Sequence, residues 1–262
     1  MFIRTERSIR EFFELYPVVT IIVGINIFLW FIIDFLNLQI GTYIRDYGVG
    51  INYWIGEGEW WRLFTPIFLH AGAMHMLFNS FSLVLFGPAL EQMLGKFKFI
   101  LAYIGTAVTA NIVIYFIESP AYAHLGASGA IFGLFGIYVY MVFFRKDLID
   151  QSSSQIIGVI VAIALAMTFL RSGISILGHL FGFFSGFTYA PLLLAGVKSY
   201  SPWARARPRK RKYADEDDDG PQFDPDRWNK KRKMPEAIRK NMLWIIVGII
   251  AVLWLLGQAN IL

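Results

Sequence analysis

The chain has 262 residues, of which 56% are hydrophobic, 17% aromatic and only 16% charged, with a formal net charge of +5 and a mean hydropathy of +0.52. Soluble domains carry roughly 25% charged residues, so this balance excludes an ordinary soluble domain and indicates a membrane protein. With no cysteine in the chain, disulfides and cysteine-ligated metals are excluded as well.

A spanning helix needs about 20 mainly apolar residues. Seven stretches meet that criterion, at 18–36, 72–93, 97–117, 127–144, 155–170, 174–196 and 242–262. The first follows a short segment, 1–16, and lacks a small-residue cleavage site, so it reads as a retained anchor and not as a cleaved signal peptide. Between the first two lies an aromatic-rich loop, 37–65, containing Tyr43, Tyr47, Tyr53, Trp54, Trp60 and Trp61. Tyrosine and tryptophan favour the membrane–water interface, so this loop is expected to lie on or in one leaflet. A polar stretch, 198–241, separates the sixth span from the seventh.

Lysine and arginine give an orientation. With the N-terminus in the cytoplasm, 21 of the 24 basic residues fall on the cytoplasmic side, and only Arg45, Arg62 and Arg171 fall outside. That is a strong positive-inside bias. The fourth span then starts at the outer face with Ser128. His179 lies about five residues into the sixth, roughly 7–8 Å deep at 1.5 Å per residue. His75 and Asn79 occupy the first two turns of the second. Polar residues of three helices therefore reach one depth in the outer leaflet.

The fourth span opens as HLGASGAIFGLFG, residues 124–136, with Gly129, Gly133 and Gly136 along it; the sixth carries Gly178, Gly182 and Gly186 at intervals of four. Small residues so spaced let two helix backbones approach closely. Ser128 adjoins one ridge and His179 the other, so packing of the ridges would bring them together. Serine is a weak nucleophile until an imidazole within about 2.6–3.2 Å takes its proton. On the fourth span alone, Ser128 reads equally well as a packing residue. Histidine inside a membrane span is expensive and signals function by default, with a structural histidine bonded to a backbone carbonyl as the alternative. His75 and Asn79, four apart on one helical face, suit an oxyanion formed during attack on a carbonyl, as does the Ser128 backbone N–H at a helix start. They suit equally a role in holding loops at the helix end. No aspartate falls beside His179: Asp34 is near the outer end of the first span and Asp46 is in the aromatic loop. The pattern is a serine–histidine dyad, with Phe132, one turn beyond Ser128, placed to stack on the imidazole. His124 is expected at the surface or membrane interface, not as a ligand.

These residues resemble the rhomboid family of intramembrane serine proteases over about residues 17–197. The motifs are Gly126-Ala127-Ser128-Gly129, His75-Met-Leu-Phe-Asn79 preceded by His70-Ala-Gly, Gly178-His179-Leu-Phe-Gly182, and Trp61-Arg62 in the first loop. The resemblance implies Ser128 as nucleophile, His179 as general base, and His75, Asn79 and the Ser128 N–H as oxyanion hole. It also implies a partly embedded first loop stabilised by Trp61 and Arg62, and a substrate gate formed by the fifth span and the loop around Phe169 to Ile174. Substrates would be transmembrane proteins with helix-destabilising small residues near their outer ends. No metal, nucleotide or other cofactor is implied.

The expected fold is an all-α membrane protein, a six-helix rhomboid core (17–197) plus a seventh C-terminal transmembrane helix (242–262). The core follows a cytoplasmic segment (1–16) and precedes a charged cytoplasmic linker (198–241), in the bacterial cytoplasmic membrane. The alternating basic and acidic blocks of 205–240 read as a solvated, disordered linker; no nucleic acid is expected as a partner. The soluble-hydrolase elbow G-x-S-x-G is not matched, because position 130 is Ala. A channel or transporter would need ionisable residues across the whole bilayer, and here they gather on one side. A rhomboid-like protein that binds membrane clients without cutting them is the alternative, and it would not require both Ser128 and His179.

Overall fold

The computed structural model describes residues 6, 8–170 and 173–201. The seventh span at 242–262, most of the charged linker, Arg171 and part of the expected gate loop lie outside the described residues. Within them the protein is mostly helical, and four helices are long and apolar enough to cross a membrane.

A short helix α1 (Ile9–Leu15) is capped by Ser8, whose hydroxyl accepts from the Glu11 N–H. Helix α2 (Pro17–Trp30) starts with proline at its first position, where the missing N–H is no loss. Its next two N–H groups, of Val18 and Val19, donate to the carboxylate of Glu91 at 3.0 and 2.9 Å. A single π-helical turn, Phe31–Phe35, completes this span.

The stretch expected as an aromatic loop is folded. It contains α3 (Gln39–Gly48), a two-residue strand β1 (Gly50–Ile51), α4 (Asn52–Gly56) and two 3-10 turns, Trp60–Leu63 and Thr65–Phe68. Strand β1 pairs antiparallel with β2 (Ala123–His124), Gly50 opposite His124. This one small ribbon stands in an otherwise helical fold, and no run of alternating residues announces it. Asn52 donates its amide to the carbonyls of Ile114, Glu118 and Ser119, and Asn111 donates to the carbonyl of Leu63 at 2.8 Å. Paired backbone and amide clamps give this segment the partners that a loop over an apolar bundle would lack.

Helix α5 (Ala73–Ile117) takes in both the second and third expected spans. Gly95 interrupts it at φ 77° and ψ 165°, a conformation suited to glycine, so 73–94 and 96–117 are separate helical arms. Helix α6 (Ser128–Phe144), α7 (Gln151–Leu170) and α8 (Ile176–Leu193) complete the bundle. Helix α7 begins earlier than its apolar run suggests, because Asp150 caps it: one carboxylate oxygen accepts from the Ser153 N–H and the other from its hydroxyl. Helix α8 is capped by Ser175, which accepts from the Gly178 N–H.

The glycine ridges are where α6 meets α8. A Cβ added at Gly182 would run into the Gly129 carbonyl, and one at Gly186 into the Gly133 carbonyl. Gly136 likewise faces the backbone of Phe183 and Phe187, and Gly133 also receives the Thr106 side chain from α5. Helices α6 and α8 therefore touch backbone to backbone, the closest approach that side-chain-free positions allow. Around this axis the core is apolar, with Phe99, Tyr103, Leu134, Ile137, Tyr138 and Met141 fully buried. Outward, Phe28, Phe81, Phe116, Phe143 and Leu192 are exposed, as suits helices solvated by lipid.

Candidate active site

The site forms at the end of the bundle where α5, α6 and α8 place their first turns, beneath the folded 39–68 segment. Gly126 shapes the entry to α6. Its φ is +128°, a region that favours glycine, and its N–H donates to the Pro66 carbonyl at 2.8 Å. A Cβ here would stand 2.7 and 2.8 Å from Cε1 and Nε2 of His75, and 3.8 Å from the Ser128 hydroxyl. The His75 ring and Ser128 Oγ thus both lie against the bare face of Gly126. Only a residue without a side chain permits that approach.

His75 is turned by its own loop. The Ala71 N–H donates to His75 Nδ1 at 3.3 Å. A neutral imidazole accepting at Nδ1 carries its proton on Nε2, the nitrogen beside Gly126. His70 packs edge-on against the same ring, centroids 5.2 Å apart. One turn along α5, Asn79 is buried, and its Nδ2 has no hydrogen-bond acceptor. Ser128 is the first residue of α6, so its N–H has no carbonyl partner within the helix. The Ser128 N–H is thus free of the helix ladder, and the His75 ring shares the Gly126 face with the Ser128 hydroxyl.

His179 comes from the other side. It is buried on α8, next to Gly178, whose carbonyl lies 3.5 Å from a Cβ built on Gly129. The Phe132 ring stacks on the imidazole, with centroids 4.0 Å apart and 15° between the planes. Thr168 of α7, buried, places its Oγ1 2.8 Å from His179 Nδ1 and 2.8 Å from the carbonyl of Ala164.

Trp61 and Arg62 are not part of this cluster. The Trp61 indole donates to the Tyr47 carbonyl at 2.9 Å. The buried Arg62 donates to the carbonyls of Asp46 and Val49, both at 2.7 Å, and pairs with Glu59 at 2.5 Å. Both tie the C-terminal end of α3 to the 3-10 turn. Asp34 forms an ion pair with Arg45 through one carboxylate oxygen. The expectation for His124 is corrected: it is buried, its ring lies on Gly50, where a Cβ would meet it at 2.5 Å, and it stacks on Tyr122. Strand pairing draws it in, a long-range contact invisible in its neighbours. Burial pushes its pKa down to about 4.

Sequence reasoning overlooked Thr168. A threonine in an apolar helix commonly bonds its own preceding turn, so nothing at position 168 distinguishes it. No group of three or more histidine, aspartate or glutamate side chains suited to a metal occurs among the described residues.

This is an integral multi-pass membrane protein by its apolar helices. A family model for the Rhomboid domain matches residues 57–196. A Bacillus subtilis (strain 168) protein named "Putative rhomboid protease YdcA" is 50% identical over 189 residues, covering 71% of this chain and 93% of that protein. Rhomboid protease GluP of the same organism is 36% identical over 172 residues, 65% of this chain but 34% of GluP. Rhomboid-like protease 1 of Toxoplasma gondii is 32% identical over 169 residues, 60% of this chain and 57% of that protein. The chain belongs to the rhomboid family, and its enzyme class is the intramembrane serine protease.

Proposed function

We propose that the protein cleaves transmembrane protein substrates near the outer membrane face, with Ser128 as nucleophile and His179 as general base. The observation that carries this reading is the Gly126 turn, against which both Ser128 Oγ and the protonated Nε2 edge of His75 rest. Nε2 of His179 takes the hydroxyl proton as Oγ bonds to the substrate carbonyl carbon. The oxyanion so formed accepts from His75 Nε2–H, Asn79 Nδ2–H and the Ser128 backbone N–H. Such preorganised donors stabilise charge that appears only on the way to the tetrahedral intermediate. His179 then passes its proton to the leaving amine, the C–N bond breaks, and water hydrolyses the acyl-enzyme by the same steps in reverse.

The same reading assigns six spans to a core at 17–197, with α5 crossing twice through its Gly95 break. The N-terminal segment 1–16 is cytoplasmic, 198–241 is a cytoplasmic linker, and 242–262 is a seventh span. The positive-inside bias supports this orientation, in the cytoplasmic membrane of a bacterium. Substrates are membrane helices with small, helix-destabilising residues near their outer ends, which can present an extended carbonyl to Ser128.

The test is cleavage of a model transmembrane substrate in liposomes by wild type, Ser128→Ala and His179→Ala. Wild type is expected to cut and both variants to be inactive. Undiminished cleavage by Ser128→Ala would reduce the serine to a packing residue. An uncut substrate, together with failure of a serine-reactive probe to label Ser128, would favour a client-binding protein.

A further inference from the structure

Resting on the reading of Ser128 and His179 as the dyad, we propose that Thr168 is the positioning residue of the catalytic base. Its hydroxyl accepts from His179 Nδ1–H and so keeps Nε2 unprotonated towards Ser128.

The argument is a proton count. Thr168 Oγ1 lies 2.8 Å from the Ala164 carbonyl oxygen and 2.8 Å from His179 Nδ1. A hydroxyl has one hydrogen and spare acceptor capacity, whereas a carbonyl oxygen only accepts. Two oxygens at 2.8 Å need a hydrogen between them, so the Thr168 hydrogen points to Ala164. The contact with His179 is then a hydrogen bond only if Nδ1 donates. A neutral imidazole has one N–H, so Nε2 keeps its lone pair, the state a general base needs. The imidazolium formed during attack also donates at Nδ1, so the same bond persists through proton transfer.

This is the office that a carboxylate performs in a serine–histidine–aspartate triad, here given to a neutral hydroxyl. The environment explains the substitution. Thr168 is buried, and a carboxylate there would need full compensation for its lost hydration, which a threonine bonded to its own helix does not. Phe132 covers one face of the ring but accepts equally the two orientations related by a flip about χ2; the Thr168 bond selects the one that places Nδ1 on the hydroxyl. The hydroxyl arrives on α7, which turns only Ser153, Ile157, Val161 and Thr168 inward as buried residues. Thr168 is the member of that stripe at the site end of the helix.

Thr168→Val keeps the shape and removes the acceptor; Thr168→Ser restores it. The experiment measures kcat and KM on a transmembrane substrate in liposomes, with thermal stability, for wild type, both Thr168 variants, Ser128→Ala and His179→Ala. The expected result is a loss of about 10–100-fold in kcat for Thr168→Val, by analogy with the loss when a partner that orients a metal-ligating histidine is removed. KM and melting temperature should stay near wild type, and serine should recover most of the rate. If Thr168→Val keeps full kcat while Ser128→Ala and His179→Ala are inactive, Thr168 is only a packing residue and the inference falls. If either dyad variant remains active, the dyad reading itself fails. Should Thr168→Val not fold, nitrogen-15 spectra of histidine-labelled wild type decide. The resonances that vanish in His179→Ala must report a protonated Nδ1 and a bare Nε2, and the opposite tautomer overturns the proposal.

Discussion

Phe132 lies flat on His179, one ring from α6 and one from α8, at a centroid distance of 4.0 Å. The contact exists because Gly129, Gly133, Gly182 and Gly186 let those helices meet along their backbones. An aromatic pair of this kind contributes about 0.5–1.5 kcal/mol beyond its buried area. Phe132→Leu should therefore lower kcat about three- to tenfold, with substrate binding little changed. A rate equal to wild type would mean that the imidazole is held without the stack.

The glycine ridge makes a prediction with an internal control. Alanine at Gly186 would drive its methyl into the Gly133 carbonyl, and overpacking of that kind costs about 1–3 kcal/mol. Gly158, on α7, has nothing within 4 Å of an added Cβ. There, alanine should gain roughly 0.5–1 kcal/mol from reduced backbone freedom. Unfolding in detergent should show Gly186→Ala below wild type and Gly158→Ala level with it or above; the reverse order would refute the close α6–α8 contact.

Glu91 joins α5 to the start of α2. Its carboxylate oxygens each receive one backbone N–H, from Val18 and Val19, in a buried setting. Glu91→Ala leaves two donors at a helix N-terminus without that acceptor, and a loss of about 1–3 kcal/mol is expected. Detergent unfolding of this variant at wild-type midpoint would show that other groups satisfy α2.

His124 sets a pH dependence outside the spanning helices. Its pKa in the folded protein is lowered by burial from 6.5 to about 4, so between those values the unfolded chain binds a proton that the native state refuses. Stability is then complete above about pH 6.5 and falls as pH drops towards 4. Melting temperatures across this window should fall for wild type and fall less steeply for His124→Gln. His70, lowered to about 4 first by burial and then by the nearby His75, adds to the slope in the same direction. Parallel curves for wild type and variant would remove His124 from the account.

Much of the helical frame was legible because lipid-facing and core-facing positions are both apolar, so long uninterrupted runs mark helices directly. Even so, the cap at Asp150 starts α7 earlier than hydropathy alone drew it, whereas the break at Gly95 falls where the second and third spans were divided. The folded 39–68 segment was not legible: its short helices alternate aromatic, glycine and charged residues, and its stability comes from Asn52, Arg62 and Asn111 reaching carbonyls far along the chain. His124 was misjudged for the same reason, since only its pairing with Gly50 draws it inside.

By itself, the sequence determined that this is a membrane-embedded helical protein of the rhomboid family, with Ser128, His179, His75 and Asn79 as its candidate chemical groups. The membrane-embedded helices rest on composition and hydropathy, the family on the resemblance of its short motifs, and the candidate groups on residue type and spacing, all of them local properties. The tertiary structure alone decided which atom faces which. It set His75 Nε2 and Ser128 Oγ against one bare glycine, laid Phe132 over His179, and brought the Thr168 hydroxyl to Nδ1. Hydrogen bonds depend on sub-ångström placement between helices distant in sequence, and no periodicity along one helix encodes that placement.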